Sequence, residues 1–306
     1  MSKTISVHQK ASIGDKIFTL VNCGALVIIF IIVAYPLYFT ILASLSDPLE
    51  TARGSITFFP KGFTLEAYQE VFKEPKVWVG YGNTIFYAVA GTMINLACTI
   101  PTAYALSHKR LPMRRLATWF FMFTMYFSGG MIPTYLVIKK LGLLDTRTVL
   151  LVCSAVQVYF LITARNYYDT SIPGEIYEAA YMDGASELGT FFKIALPLSK
   201  PIVALMVLYY AVMHWNNYIN AFMYITSADK YPLQLVLRQI LLMSGNMGQI
   251  AGNVDDDMMV LFMRKALLVE SMKYALIFIA SFPVMLAYVF VQKRFMSGLV
   301  TGAVKG

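Results

Sequence analysis

A polar stretch between two apolar segments carries residues that suit the docking of another protein. Pro173 and Glu175 favour the start of a helix there, because a fixed φ angle and a negative charge both suit a helix N-terminus. Glu178 offers a charge to a basic group on a partner, and the small Ala179 and Ala180 allow a partner surface to approach closely. These residue types support recognition and not bond-making chemistry.

A glycine ends this predicted helix. Gly184 follows Asp183, and glycine is the residue that most readily adopts the left-handed conformation after a helix. A second short helix is predicted over residues 187 to about 194, and Pro197 comes before the next apolar segment. The pattern therefore predicts two short helices joined by a tight turn, which together form a compact projection.

Polar groups inside apolar segments form a second set of candidates, since they are costly in hydrocarbon and tend to face a bundle interior or a water-filled cavity. The Ser-Gly-Gly run before Pro133 predicts a break in a helix, and such breaks are tolerated only where protein or a cavity shields the backbone. Aromatic rings at this depth can stack on sugar faces. The candidates for a translocation path are Tyr126, Gly129, Gly130, Gln157, Trp215, Asn216 and Asn217.

Asparagines in apolar segments have a second explanation. Asn83 and Asn95 belong to the second segment, and Asn216 and Asn217 belong to the fifth. Amide side chains also bond to neighbouring helices, which is a common way of holding membrane helices together. The sequence leaves both explanations open.

No motif of an enzyme or a nucleotide-binding protein is present in the sequence. The pattern Gly-x-x-x-x-Gly-Lys-Ser/Thr does not occur, and the stretch from Gly248 to Gly252 lacks both its spacing and its lysine. Paired carboxylates, nucleophile–base pairs and metal-ligand spacings are absent as well. We therefore expect this chain to bind no cofactor.

The composition points to a membrane protein. Of the 306 residues, 58% are hydrophobic and only 14% are charged, whereas a soluble domain usually carries about 25% charged residues. The net charge of +8 could suggest nucleic acid as a partner. The basic residues lie at the ends of apolar segments, however, as membrane topology requires, so no nucleic-acid partner is expected.

Six apolar segments approach or reach the length of about 20 residues that crosses about 30 Å of hydrocarbon. The first is longer than the apolar core of a signal peptide, so we expect an uncleaved helix. The expected fold class is an all-α integral membrane protein, with about six spanning helices in a single domain over residues 1–306. The segments are residues 17–45, 84–106, 116–138, 149–163, 202–224 and 274–291.

The basic residues predict the orientation in the membrane. The short loop between the second and third segments holds Lys109, Arg110, Arg114 and Arg115 with no acidic residue nearby, so we place it in the cytoplasm. Six crossings then put both termini in the cytoplasm, together with the loop of residues 166–200 that contains the docking helices. Over the whole chain the basic residues divide almost evenly between the two sides, so the topology depends on the short loop.

The docking stretch resembles the EAA motif of the permease subunits of binding-protein-dependent ABC importers. Every signature position is filled and both spacings are intact. The matching run is Glu178-Ala179-Ala180, three residues, Gly184, nine residues, Ile194, one residue and Leu196-Pro197.

Other parts of the chain are similar to one group within this family, the carbohydrate importers. The tail, residues 292–306, resembles that of the permease corresponding to the smaller of the maltose importer's pair, in which the tail reaches the ATPase dimer interface. From its composition alone, the tail would be a flexible end. The tail residues for which the resemblance implies ATPase contact are Gly302, Val304, Lys305 and Gly306.

The resemblance implies the type I permease fold and a set of partners. The docking loop would fit a cleft of a separate ATPase subunit and convert its closure into helix motion. A second homologous permease, two ATPase subunits that bind ATP and Mg²⁺, and an extracellular solute-binding protein are implied, all at a bacterial cytoplasmic membrane. The implied substrate is a carbohydrate, with an oligosaccharide favoured.

Two alternatives remain open at this point. The docking motif is shared across substrate types, so a permease for another polar solute is the closer alternative. A self-sufficient secondary transporter is the second; it would favour carboxylates within the spanning helices, and none of the six apolar segments contains an acidic residue.

Overall fold

The structure, a computed structural model, describes residues 12–247 and 256–303, and within these ranges it is helical and contains no strand. The α-helices are α1 (Ile13–Ser44), α2 (Pro48–Ala52), α3 (Glu66–Lys73), α4 (Pro75–Ser107), α5 (Arg114–Tyr126), α6 (Met131–Lys140), α7 (Arg147–Val152), α8 (Val158–Ser171), α9 (Gly174–Met182), α10 (Glu187–Thr190), α11 (Leu196–Leu198), α12 (Lys200–Trp215), α13 (Tyr218–Tyr224), α14 (Leu233–Met247) and α15 (Asp256–Ala303). A π-helix over Phe191–Ala195 joins α10 to α11, and a 3₁₀ turn over Ala228–Lys230 precedes α14. The all-α fold class is confirmed.

Three of the described helices are long and apolar enough to cross a membrane: α1, α4 and the part of α15 over Ala266–Val289. Two bent pairs raise this number to five if each pair is one span. The first pair is α5 with α6, bent by 112°, and the second joins Glu187–Leu198 to α12 with a bend of 79°. The break predicted in the third segment thus lies where the Ser-Gly-Gly run stands.

Three predicted segments differ in the structure from simple apolar helices. The fourth is divided into α7 and α8, and the fifth is divided into α12 and α13 at Asn216. The sixth extends far beyond its apolar residues, since α15 has 48 residues and runs through the expected flexible tail to Ala303. An apolar run indicates which residues lie in the hydrocarbon of the membrane. Backbone hydrogen bonding decides where a helix begins and ends, so the two sets of bounds differ.

The chain divides into two compact units, residues 1–69 with 248–278 and residues 70–247 with 279–306. In the first unit, the C-terminal end of α1 is buried, and Leu42 and Ala43 pack with Ile56. The Tyr68 hydroxyl lies 2.8 Å from the Ser44 hydroxyl. Most of α1 before this point is exposed, as expected of an apolar helix that meets lipid or another membrane protein.

In the second unit, α4 is the central helix, and α7, α8, α12 and α14 pack around it. One apolar core lies at the C-terminal half of α4 and includes Tyr104, Tyr168 and Tyr210. A second core surrounds Tyr87 and includes Leu150 and Tyr224. The docking loop begins at the end of α8 and leads into α12, so both of its ends are anchored on helices that pack against α4.

Candidate docking loop and translocation path

The docking loop has the predicted helix–turn–helix geometry. Gly184 follows α9 with a φ of +73°, a left-handed conformation that side chains other than glycine rarely adopt. The turn is closed by a 3.0 Å hydrogen bond from the Ala185 amide to the Ala180 carbonyl. The Ser186 hydroxyl caps α10 by accepting a 3.1 Å hydrogen bond from the Gly189 amide. The prediction of two short helices joined at Gly184 is confirmed.

One side of this loop is exposed and the other is buried. Glu178, Ala179 and Asp183 are exposed, and so is Met182, at 89%. Ala180 is buried, at 4%, so its small side chain allows close packing within the chain itself and offers no surface to a partner. The outward face therefore combines two carboxylates, one small residue and one large apolar side chain.

The remaining motif residues lie where the loop returns to the membrane-spanning part. Ile194 and Leu196 are half-buried, and Pro197 is exposed. Between α10 and α11 the chain forms a π-helix, so the second docking helix continues into the turn before α12. Two further apolar side chains are exposed on this part, Leu188 at 72% and Phe192 at 60%.

Aromatic rings anchor the buried side of the loop on α4. The Tyr104 ring lies 5.0 Å from the Phe191 ring and 6.1 Å from the Tyr177 ring, and the His108 and Tyr177 rings are 5.0 Å apart. Burial raises the pKa of Tyr177 to about 12, so this hydroxyl stays protonated at neutral pH. Packed rings thus hold the loop against α4.

A buried polar network links α4 and α12 to the break between α7 and α8 in the second unit. The Asn95 amide nitrogen donates to the carbonyls of Ser154 and, at 2.9 Å, Ala155, in the break between α7 and α8. The Asn95 amide oxygen lies 2.6 Å from Nε2 of His214 on α12. Because that oxygen can only accept, His214 is the donor and carries its proton on Nε2.

Glycine is required opposite this histidine. A Cβ at position 91 would lie 2.7 Å from Cδ2 of His214 and still closer to Cε1 and Nε2, so only a glycine on α4 leaves room for the ring. His214 is 1% exposed. His214 could not be predicted as a partner of Asn95, because nothing in the sequence places the two side chains together. The available signal was a histidine within an apolar segment.

The candidate path residues fall into two groups. Gln157 and Asn217 are half-buried and Asn216 is exposed, each at one of the two breaks next to the Asn95–His214 network. Trp215 is buried, and its indole nitrogen donates a 2.9 Å hydrogen bond to the carbonyl of Ala280. This bond gives Trp215 a packing role in the structure.

The other group lies at the break between α5 and α6. Tyr126 is 73% exposed, and Gly129 and Gly130 are exposed as well, with Gly130 at a φ of +88°. Exposed irregular backbone is not tolerated in hydrocarbon, so this break needs protein or water over it in a membrane. Asn83, in contrast, is bonded to neighbouring segments: its amide donates to the carbonyls of Asp229, at 2.7 Å, and Tyr231.

A carboxylate clasp joins the loop before α7 to the chain after α13. Asp145, at a φ of +55°, accepts hydrogen bonds from the amides of Thr226 and Ser227, from the Ser227 hydroxyl, and from the Lys230 ammonium at 3.1 Å. These bonds, that of the Ser227 hydroxyl first, hold the pKa of Asp145 well below its ordinary value. The clasp fixes the loop between α6 and α7.

The predicted tail contacts lie at the end of the described chain. Gly302 belongs to α15, while Val304, Lys305 and Gly306 lie outside the described residues. Among the described residues, no group of three or more His, Cys, Asp or Glu side chains is arranged to hold a metal ion.

Helices long enough to cross a membrane, helix breaks at membrane depth and an exposed docking loop together define the membrane-embedded subunit of a transport complex. The chain belongs to the family of binding-protein-dependent transport system inner membrane components, whose model matches residues 77–297. It is therefore the permease component of such a system.

Relatives along the whole length support this membership. Protein LplC of Bacillus subtilis (strain 168) is 40% identical over 307 residues, covering 100% of both chains. The polygalacturonan/rhamnogalacturonan transport system permease protein YtcP of the same organism is 36% identical, over 95% of this chain and 99% of its own. The crystal structure of a bacterial ABC transporter involved in the import of the acidic polysaccharide alginate contains a chain that is 33% identical. It superposes with a TM-score of 0.82, covering 94% of this chain and 99% of that one.

Proposed function

We propose that this permease forms half of the translocation path of a bacterial ABC importer for carbohydrates, with oligosaccharides as its substrates. Its α9–α10 loop docks on a separate ATPase subunit. The observation that carries the proposal is the exposed face of that loop, on which Glu178 and Met182 lie on α9 just before the left-handed turn at Gly184. Hydrolysis of ATP, with Mg²⁺, takes place on the partner subunits, and this chain binds neither.

Carbohydrate is favoured over other polar solutes by the relatives. YtcP is named for polygalacturonan and rhamnogalacturonan, and the structural relative for alginate. Both relatives align with more than nine-tenths of this chain, so the likeness extends beyond the docking motif that all substrate types share. A permease for another polar solute remains the alternative, because the docking loop carries no information about the substrate.

The implied partners are a second homologous permease, two ATPase subunits and an extracellular solute-binding protein. The second permease is supported by the exposed break at Gly129 and Gly130, which needs protein or water over it. We place both termini and the docking loop on the cytoplasmic side of a bacterial cell membrane, because the basic cluster between α4 and α5 favours that side. The tail residues Gly302, Val304, Lys305 and Gly306 are proposed to contact the ATPase subunits.

The docking is tested by replacing Glu178 with Gln in the complete importer. We expect loss of substrate-stimulated ATP hydrolysis or of ATPase co-purification in mild detergent, because the charge offered to a basic group of the partner is gone. Glu175→Gln is the matched control, since this exposed glutamate lies on the same helix outside the motif. If both variants retain full association and stimulation, the loop is not the docking site.

The substrate class is tested with the importer and its binding protein in proteoliposomes. Oligosaccharides derived from galacturonan, rhamnogalacturonan and alginate, and neutral oligosaccharides, are compared with small non-carbohydrate solutes. Stimulation of ATP hydrolysis by at least one oligosaccharide is expected. Stimulation by a non-carbohydrate solute alone would establish the alternative.

The path is tested by Asn216→Ala, at the exposed end of α12. Reduced uptake with unchanged ATPase association is expected if Asn216 faces the substrate. Unchanged uptake would favour the explanation that the asparagines at this break only bond to neighbouring helices. Asn83→Ala serves as a comparison, because its amide is already bonded to backbone carbonyls.

A further inference from the structure

A basic cavity of about 720 Å³ lies where the turn between α4 and α5 meets α8. Four of its lining residues are cationic: Lys109, Arg114, Arg115 and Arg165. No acidic residue lines it, and its remaining walls include Trp119 and Met122. A cavity with cations at one end and apolar side chains at the other suits a molecule that has an anionic group at one end and an apolar group at the other.

Two of the four cations are fixed in place. The Nε atoms of Arg114 and Arg165 both donate to the carbonyl of Leu106, at 2.7 and 3.1 Å. Both guanidinium groups also lie near one carboxylate oxygen of Asp169, at 3.2 and 3.8 Å. The arginines are therefore held in position before any ligand arrives, and a single carboxylate compensates only one of them.

The other two cations carry no such compensation. Lys109 and Arg115 are exposed, and neither has an ion-pair partner among the described residues. Three positive charges of the cluster are thus left uncompensated. An anion with several oxygens at this position would replace water on Lys109 and Arg115 and reach the outer edges of the two fixed arginines.

The apolar side of the cavity continues along α5. None of the residues of α5 is buried in this chain, and the Trp119 side chain is 71% exposed. Trp119 and Met122 lie one helical turn apart on the same face, so they form a continuous apolar strip that starts at the basic cluster. Tryptophan at such a position is typical of the membrane–water interface.

The cluster also lies at the depth where lipid headgroups are found. α4 is long enough to cross a membrane and ends at Ser107, and the bent pair α5–α6, which together is long and apolar enough for the next span, begins at Arg114. The residues between these two points connect successive spans, so they lie at an interface of the bilayer. This placement depends only on the membrane embedding of the chain and not on its substrate or its ATPase.

We propose that this cavity binds an anionic phospholipid. Its phosphodiester contacts Lys109, Arg115 and the free edges of Arg114 and Arg165, and one acyl chain lies along Trp119 and Met122. Basic pockets between spanning helices bind anionic headgroups by this combination of charge and apolar surface. A soluble phosphate would satisfy the cations and leave the apolar strip exposed.

The position of the site connects the lipid to the docking loop. Asp169 lies near the end of α8, a few residues before α9 begins. The phosphate would therefore lie next to the ion pairs that Asp169 makes with Arg114 and Arg165 at the base of the loop.

Brominated lipids test the proposal, because bromine quenches a tryptophan that it contacts. The complete importer is placed in nanodiscs of phosphatidylcholine with a minor fraction of brominated phosphatidylglycerol, and separately with the same fraction of brominated phosphatidylcholine. The Trp119→Phe importer supplies the signal of all other tryptophans. The difference between the two proteins reports the lipid at Trp119.

We expect brominated phosphatidylglycerol to quench Trp119 far beyond its fraction in the bilayer, and brominated phosphatidylcholine to quench it only in proportion. Each basic residue near an anionic headgroup contributes about 1 kcal/mol, which is about fivefold in local concentration. Lys109→Gln with Arg115→Gln removes two such residues and should therefore lower the enrichment about 25-fold. Lys139→Gln with Lys140→Gln, an exposed basic pair at the end of α6, should leave it unchanged.

Three results would overturn the proposal. Equal quenching by the two lipids would mean that the cluster does not select anionic headgroups. Absence of quenching by either lipid would mean that protein, such as the second permease, covers this face. Loss of the enrichment with inorganic phosphate, but not with chloride at the same ionic strength, would mean that the site takes a soluble anion.

Discussion

Replacing Gly91 with alanine is the sharpest test of how the second unit is packed. The new methyl group would overlap the His214 ring, lying 2.7 Å from Cδ2 and nearer to the other ring atoms. The ring cannot move away without cost, because its Nε2 atom is bonded to Asn95 at 2.6 Å and its side chain is 1% exposed. Either α4 and α12 separate or the hydrogen bond breaks.

The expected cost can be worked from these contacts. An extra methyl group in a packed interior costs about 1–3 kcal/mol. Loss of a side-chain hydrogen bond between membrane helices adds about 0.6 kcal/mol on average. The higher helix propensity of alanine over glycine stabilises the folded state by about 1 kcal/mol and offsets part of this cost. We expect a net loss of about 0.6–2.6 kcal/mol in the free energy of unfolding.

The measurement is reversible unfolding in mixed micelles, followed for the wild type and for Gly91→Ala. Gly82→Ala is the matched control, since Gly82 is an exposed glycine of the same helix with nothing within 4 Å of an added Cβ. This control should be neutral or slightly stabilising. The double variant with His214→Ala completes a cycle that isolates the contact.

Two results would refute this reasoning. The first is a Gly91→Ala variant as stable as Gly82→Ala. The second is an equal cost of Gly91→Ala in the presence and in the absence of the His214 ring. In either case the close approach of α4 and α12 at this point would not be set by the histidine.

Other variants test the clasp, the docking turn, Trp215 and the tail. Asp145→Asn should lower the unfolding midpoint at neutral pH. Because the pKa of Asp145 is depressed in the folded state, this difference from the wild type should persist down to the ordinary carboxyl pKa of 3.8 and vanish as the pH falls through the lower folded pKa. A difference that does not depend on pH would contradict this prediction. Gly184→Ala places a side chain at positive φ at a cost of about 1–2 kcal/mol and should weaken ATPase association in a pull-down, while Gly174→Ala, which has open space, should not. Trp215→Phe leaves a buried carbonyl without its donor and should lower the free energy of unfolding by about 1 kcal/mol, so an unchanged value would show that water replaces the indole. Deletion of residues 295–306 should leave membrane insertion intact, as judged by membrane fractionation, and impair energised uptake; transport at the full rate would contradict the tail assignment.

The features that could be predicted from sequence are those in which one residue decides the local geometry. Gly184 is where the left-handed turn lies, and the Ser-Gly-Gly run before Pro133 is where α5 ends and α6 begins. Glycine and proline act on the backbone next to them, so their effects do not depend on distant contacts.

The features that could not be predicted depend on pairs of residues far apart in the chain. Asn95 and His214 are 119 residues apart, and neither side chain indicates its partner. The orientation of Ala180 towards the protein follows from the packing of Tyr177 and Phe191 on α4, which the loop sequence alone does not contain. Asn83 and Asn95 could each face a path or a neighbouring helix, and only their hydrogen bonds in the folded chain show that they bond to neighbouring segments.

The division of the predicted fifth segment into α12 and α13 was only partly predictable from the sequence. Asparagine competes with the helix backbone for hydrogen bonds, so the two adjacent asparagines at 216 and 217 were an available signal of a weak point, but the fifth segment was predicted as one helix over residues 202–224. Hydrophobicity, however, is the same on both sides of the break, and an apolar run is equally compatible with one helix or two. The length of α15 was missed for the opposite reason, since its helical backbone continues after its apolar residues end.

The sharp turn at Ser199 has a mechanical consequence. Helical backbone runs without a loop from Glu187 through the π-helix to Leu198, and after this one residue it resumes at a 79° angle as α12. No flexible loop lies between the two parts that could absorb a displacement. A displacement of a few ångströms at the Glu187 end must therefore tilt α12 or rotate it about its axis.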